Sequence, residues 1–242
     1  MCLRWNKIGD IGITGLGSAF SNHSNLILLE LQVNNNNINT EGALGLSRSL
    51  EKCKNLSYFN LNISDNNIQQ EGASNLISPL SNYSLLNRFQ IDLGWNNIQA
   101  KGASDIVKTL SCCLNLQQLT LWAMSNNISD SSIKSLGQAL VKLQGISSLS
   151  LSLQWNNICD YGIAELGLVL SQCSCLRTLQ LAVNNCSIAE KGILDLINNL
   201  VQCNKLSILK LEIQQQEFVQ EQKYINKCKK IKRLVELNIQ LN

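Results

Sequence analysis

The side chains with the best claim to chemistry are few: one histidine, His23, and ten cysteines. Thiolate metal sites need ligands that converge on one point, and Cys112-Cys113 and Cys173-Ser174-Cys175 have the look of ligand pairs. The glycines stand singly, with no GxGxxG or GxxxxGK stretch to cradle a phosphate. Catalysis needs titratable groups that meet. Whether these do depends on where the chain puts them, and that is set by a repeat.

The segment Leu86 to Ile98, LNRFQIDLGWNNI, has the pattern LxxLxLxLxxNxI. Its closing residue recurs as Ile8, Ile38, Ile68, Ile98, Ile128, Ile158, Ile188 and Phe218, each step spanning 30 residues. Such periodicity marks a repeat array rather than an ordinary domain. Cys53, Cys113, Cys173 and Cys203 share one column with His23, Tyr83 and Leu143. A column that accepts Cys, Tyr or Leu is a packing position, so His23 is expected to pack. Each cysteine pair gives one member to that column, and the pairs lie two coils apart, too far to share an ion. No catalytic, cofactor or metal site is expected.

Within one coil, Leu29, Leu31 and Val33 alternate at period two, the mark of a short strand with one buried face. Gly42 opens a second segment in which Leu46 and Leu50 recur at helical spacing. The glycine column continues through Gly72, Gly102, Gly162 and Gly192, with Ser132 in the fourth helix of this series. Pro79 is expected to end its helix early. Asn6, Asn36, Asn66, Asn96, Asn126 and Asn156 stand where the backbone turns away from the sheet, and their amides suit its unmet donors and acceptors. Cys186 and Gln216 take that place later.

LxxLxLxLxxNxI followed by a Gly-opened helix resembles the leucine-rich repeat family, closest to its ribonuclease-inhibitor-like subtype. The resemblance covers essentially residues 1–242 and implies an α/β solenoid, a horseshoe with a parallel β-sheet on the concave face and α-helices on the convex face. It implies one array of about eight coils, of which the last, 206–242, is divergent and basic. The usual LxxLxLxxNxL is two residues shorter before the Asn. The extra dipeptide supplies a third apolar position (Val33, Ile63, Leu93, Ala123, Leu153, Val183, Ile213), expected to give longer strands or a bulge. The insertion and the asparagine richness are similar to leucine-rich repeat proteins of ciliates.

Hydrophobic residues make up 45% of the chain but aromatics only 5%, so the core is aliphatic. Column neighbours stand about 10 Å apart in the helix layer, beyond the reach of a disulfide. Free buried thiols fit a reducing compartment. No stretch resembles a signal peptide or approaches a membrane span. A cytoplasmic protein is expected, ciliary or cytoskeletal if the ciliate likeness holds. The open terminal strands fit either end-to-end docking or a chain that is part of a larger product.

Three outward positions per strand, from Glu30, Gln32 and Asn34 to Lys210, Glu212 and Gln214, define the concave face. Only Glu30, Asp92, Lys210 and Glu212 among them are charged, which argues against nucleic acid there. Two groups stand out. Trp122 and Met124 are expected on one strand, with Trp95 and Trp155 just before the Asn turns on either side and Trp5 in the column of those two. Those rings either lid the strand ends or anchor a partner. Near the end, Lys223, Lys227, Lys229, Lys230, Lys232 and Arg233 outnumber Glu217 and Glu221 by four charges, against +3 for the whole chain. Lys223, Lys227 and Lys230 would form one helical stripe, either a solvated cap or a site for an acidic partner. The array is expected to be a non-enzymatic protein-binding scaffold, free of any cofactor, possible as a structural subunit of a larger assembly. Relatives of the resembled subtype imply the alternative, a regulator of an enzyme such as an inhibitor or GTPase activator.

Overall fold

The computed structural model describes residues 1–23, 25–213 and 221–241. Helix and strand alternate throughout: α1 (Gly9–Ser21), β1 (Leu28–Gln32), α2 (Thr40–Leu50), β2 (Tyr58–Asn62), α3 (Gln69–Ile77), β3 (Arg88–Asp92), α4 (Gln99–Leu110), β4 (Gln118–Trp122), α5 (Asp130–Lys142), β5 (Ser148–Ser152), α6 (Asp160–Gln172), β6 (Thr178–Ala182), α7 (Glu190–Leu200), β7 (Ile208–Ile213), α8 (Glu221–Cys228) and β8 (Glu236–Leu241). The strands make one open parallel sheet in sequence order. Leu28 faces Tyr58, Tyr58 faces Arg88, and the register keeps the repeat up to Ile208. Ile208 then faces Glu236, so the last coil is two residues short. Phe218, Gln214 and Gln216 lie outside the described residues.

The core lies between sheet and helices. Leu31, Leu61, Ile91, Leu121, Leu151, Leu181 and Leu211 stack as one buried ladder. Phe59 and Phe89 continue the same packing with ring centroids 5.6 Å apart. The third apolar position is buried in every coil from Val33 to Ile213. It produces neither a longer strand in most coils nor a bulge. The ladder simply runs on past the strand, Val33 N donating to Asn62 O at 2.8 Å and Asn35 N to Ser64 O at 3.0 Å.

The asparagine column works as its position implies. Asn96 Nδ2 donates to Ile63 O (2.9 Å), Leu93 O (3.2 Å) and Gly94 O (3.1 Å), and its Oδ1 accepts from Ile68 N (3.3 Å). Asn126 and Asn156 repeat this in the next coils. Cys186 supplies a thiol in the same place, Sγ to Leu153 O at 3.3 Å. The cysteine column also has a polar task that the sequence hid. Cys113 Sγ reaches Leu80 O at 3.3 Å, Cys203 Sγ reaches Leu170 O at 3.5 Å, and Tyr83 Oη donates to Leu50 O at 2.6 Å. Each satisfies a carbonyl near the end of the helix before it. All ten cysteines are free.

His23 departs from expectation: it is exposed. Its column partners reach back to the preceding coil, and His23 stands in the first coil of the described array. Pro79 acts as expected, since α3 stops at Ile77 and a 3-10 turn, Ser78–Asn82, follows. The glycine column is a contact line between helices. A Cβ on Gly192 would stand 2.8 Å from Asp160 Cα, and one on Gly102 would stand 3.2 Å from Gln70 O. Ser132 fits there by donating its hydroxyl to Ala100 O at 3.2 Å.

Candidate functional site

The sheet's outer face carries a groove of about 610 Å³ bordered by Arg4, Asn62, Arg88, Gln118, Trp122 and Gln180 among others. Each wall residue is an outward member of a strand or its extension, so the repeat itself places them in rows. Arg88 lies over the Tyr58 ring, 4.9 Å from its centroid. The Asp92 carboxyl is pushed up from the usual carboxylate range by burial, against hydrogen bonds from Gly94 N–H, Ser64 and Asn62 that favour its charge. Lys210 is paired with Glu236 at 2.9 Å. The charged side chains of the groove itself are Arg4, Arg88 and Asp92.

The glutamines on or beside it are oriented with a bias. Gln32 Oε1 accepts from Arg4 (3.0 Å), Gln90 Oε1 from Tyr58 Oη (3.1 Å), and Gln180 Oε1 from Ser150 Oγ (3.5 Å). Gln154 Oε1 accepts from Ser152 Oγ (3.4 Å), and Asn62 Oδ1 accepts from Ser64 N (3.1 Å) and Oγ (2.8 Å). In each case the amide oxygen is used within the protein; the Asn62 NH2 is engaged by Asp92, and those of the four glutamines remain to donate.

Trp122 lines this groove, and Trp5, Trp95 and Trp155 stand in the turns beyond the strand ends. Trp5 (71% exposed), Trp95 (52%), Trp122 (42%) and Trp155 (60%) are open to solvent. The third apolar residues close the layer beneath the strand ends. Trp5, Trp95 and Trp155 have φ of 57°, 53° and 57°, as do their column mates Asn35, Asp65, Ser125 and Asn185 at 54–56°. The turn into the Asn ladder demands left-handed backbone, which Asn and Asp tolerate and a bulky side chain resists. Met124 is half-buried, and a Cβ on Gly94 would come within 2.9 Å of its Cγ, so the thioether lies across that glycine.

The basic segment is built differently from the expected stripe. Lys223 Nζ pairs with Glu190 Oε1 at 2.7 Å, and Lys227 Nζ donates to Asn198 Oδ1 at 2.8 Å. Both lysines tie α8 to α7. Helix α8 ends at Cys228, so Lys230 is not on it and the three-lysine stripe does not form. Tyr224, Cys228 and Ile231 are buried as the columns require. Among the described residues, no three His, Cys, Asp or Glu side chains gather as a metal site, and no helix is long and apolar enough to cross a membrane.

Comparison with known proteins bears on the architecture. A sequence profile described as Leucine Rich repeat matches residues 24–47, 60–76 and 90–107. The structure is similar to leiomodin-1 actin-binding site 2, with a TM-score of 0.50 at 14% identity, covering 66% of this chain and 88% of that one. This is a leucine-rich repeat solenoid. Internalin C2 from Listeria monocytogenes covers 96% of the solenoid and 84% of its own chain at 16% identity, with a TM-score of 0.38. No curated protein sequence matches the chain significantly. These likenesses concern fold alone. The site of the solenoid has to be argued from its own side chains.

Proposed function

We propose that the chain is a non-enzymatic scaffold that docks a protein partner on the sheet face, with Trp95, Trp122, Met124 and Trp155 as the anchor. One observation carries this reading: exposed tryptophans occupy left-handed turn positions that Asn, Asp and Ser fill elsewhere in the column. A bulky residue kept there with half or more of its surface in solvent costs stability and gains little packing, and such local conflicts gather at functional sites. Large exposed rings beside a hydrogen-bonding groove are also what interface hot spots are made of. A cytoplasmic or cytoskeletal assembly, ciliary or otherwise, is the setting in which such a scaffold would work. Lys230, with Lys229, Lys232 and Arg233, is left as a secondary basic patch for an acidic partner, while Lys223 and Lys227 serve the fold.

The test is crosslinking of a tagged chain in extract of its source cells, beside a Trp95→Asn/Trp155→Asn variant. A saturable protein partner that the variant loses supports the reading. Identical crosslinked species with both chains would overturn it. The enzyme-regulator alternative predicts that the captured partner is an enzyme whose turnover changes when the chain is added.

A further inference from the structure

We propose that the ligand this face recognises is a proline-rich segment in the polyproline II conformation, lying along the solenoid axis across the strands. The inference rests on the protein-docking reading and names its partner class.

Three independent matches support it. The first is spacing. Trp95 and Trp155 share a column two coils apart, and strands in a sheet lie about 4.8 Å apart, so their backbones are separated by about 9.6 Å. A polyproline II helix rises about 3.1 Å per residue with three residues per turn, repeating every ~9.3 Å. Prolines at i and i+3 therefore present themselves to both rings at once. Trp122, in the coil between, is set back into the groove where the intervening residues pass.

The second match is hydrogen bonding. Four amides on or beside this face, Gln32, Gln90, Gln154 and Gln180, have their oxygens engaged by the protein and offer NH2. A face rich in donors suits a ligand rich in acceptors. Proline-rich chains are that ligand, because every proline carries a carbonyl and no N–H, and polyproline II makes no internal hydrogen bonds. A sugar, which presents donors and acceptors together on each hydroxyl, is matched less well.

The third is charge. Arg4 and Arg88 are balanced by Glu30 and Asp92, and Arg88 is stacked on Tyr58. A face without net charge complements an uncharged segment and gives an acidic or basic one nothing to prefer. Aromatic-lined grooves are a known way to read such segments, whose stiffness lowers the entropy lost on binding.

Trp5 supplies a control inside the molecule. It shares the column and the left-handed backbone but lies three coils from Trp95, about 14 Å away. That is one and a half polyproline turns, out of phase with the pair. Fluorescein-labelled decaproline should bind the full chain saturably in a polarisation titration. Trp95→Ala and Trp155→Ala should each weaken it about tenfold or more, while Trp5→Ala stays within about twofold. Gln90→Glu, which replaces a donor by an acceptor, should also weaken it. Circular dichroism of each variant checks that the fold is kept. No saturable binding, equal losses for Trp5→Ala and Trp95→Ala, or preference for a Gly-Ser decapeptide or for maltohexaose would each overturn the inference. If decaproline fails while the crosslinked partner still depends on Trp95 and Trp155, docking stands and only this partner class is wrong.

Discussion

At the scale of single residues, the tryptophans and the buried asparagines lie on opposite sides of the stability balance. Trp95→Asn places a residue that tolerates left-handed backbone where φ is 53°. Stability should hold or rise by about 0.5–1 kcal/mol in chemical denaturation, while partner binding falls. A loss of more than 1 kcal/mol would mean that the ring packs after all. Asn96→Ala should do the reverse. It strands the amide of Ile68 in the interior and takes one of two donors from the carbonyls of Ile63 and Leu93, which keep Asn66 and Asn126, at a cost of about 1–3 kcal/mol, whereas Asn6→Ala, exposed, should cost under about 0.5. The buried thiols add a pH dependence. Burial pushes Cys113, Cys203 and Cys228 up to about 12 from the ordinary 9.0. The folded state therefore holds protons that the unfolded chain releases above pH 9. Their contribution is full below that point and lost as pH rises from 9 towards 12. Urea midpoints that stay flat across pH 9 to 11 would contradict this.

At the scale of elements, each helix is held by how closely it can approach its neighbour. Gly192→Ala puts a methyl 2.8 Å from Asp160 Cα, so α7 must move away from α6, and a loss of about 1–3 kcal/mol is expected. Gly15→Ala in α1 meets nothing within 4 Å and should instead stabilise by about 0.5–1 kcal/mol, because alanine loses less backbone freedom. Thermal unfolding of the two variants should move in opposite directions. This contrast also marks what the sequence could disclose. The columns were legible because every coil solves the same packing problem with the same positions, and Leu31, Asn96 and Gly192 could be assigned by counting alone. The left-handed turn before the asparagine was less so, because Trp at three of its positions masks the Asn, Asp and Ser that announce it. The donor bias of the groove was not legible. It depends on which neighbour takes each amide oxygen, as Tyr58 does for Gln90 across adjacent strands. The engagement of Lys223 by Glu190 likewise needs the shortened register of the last coil, which periodicity does not supply.

At the scale of the whole molecule, coils touch only their neighbours, so stability passes along the array through successive interfaces. Central strands have a coil on either side, and the terminal ones have one. Amide exchange should therefore be slowest in β3 to β5 and quicken towards β8. The helix side of the last interface is the slightest, because α8 has 8 residues where α6 has 13. It is fastened at its edge by Lys223 to Glu190 and Lys227 to Asn198. Both contacts are at the surface, and each should contribute no more than about 1 kcal/mol. That suffices to change a local opening equilibrium while leaving global unfolding almost untouched. Lys223→Gln with Lys227→Gln should speed exchange in α8 and β8 several-fold, with β3 to β5 unchanged. Added salt should speed exchange there in the native chain and have less effect in the variant, since the ion pair it screens is gone. If exchange in α8 ignores both the substitutions and the salt, the apolar contacts of Tyr224, Cys228 and Ile231 hold the coil by themselves, and the lysines are left for a partner.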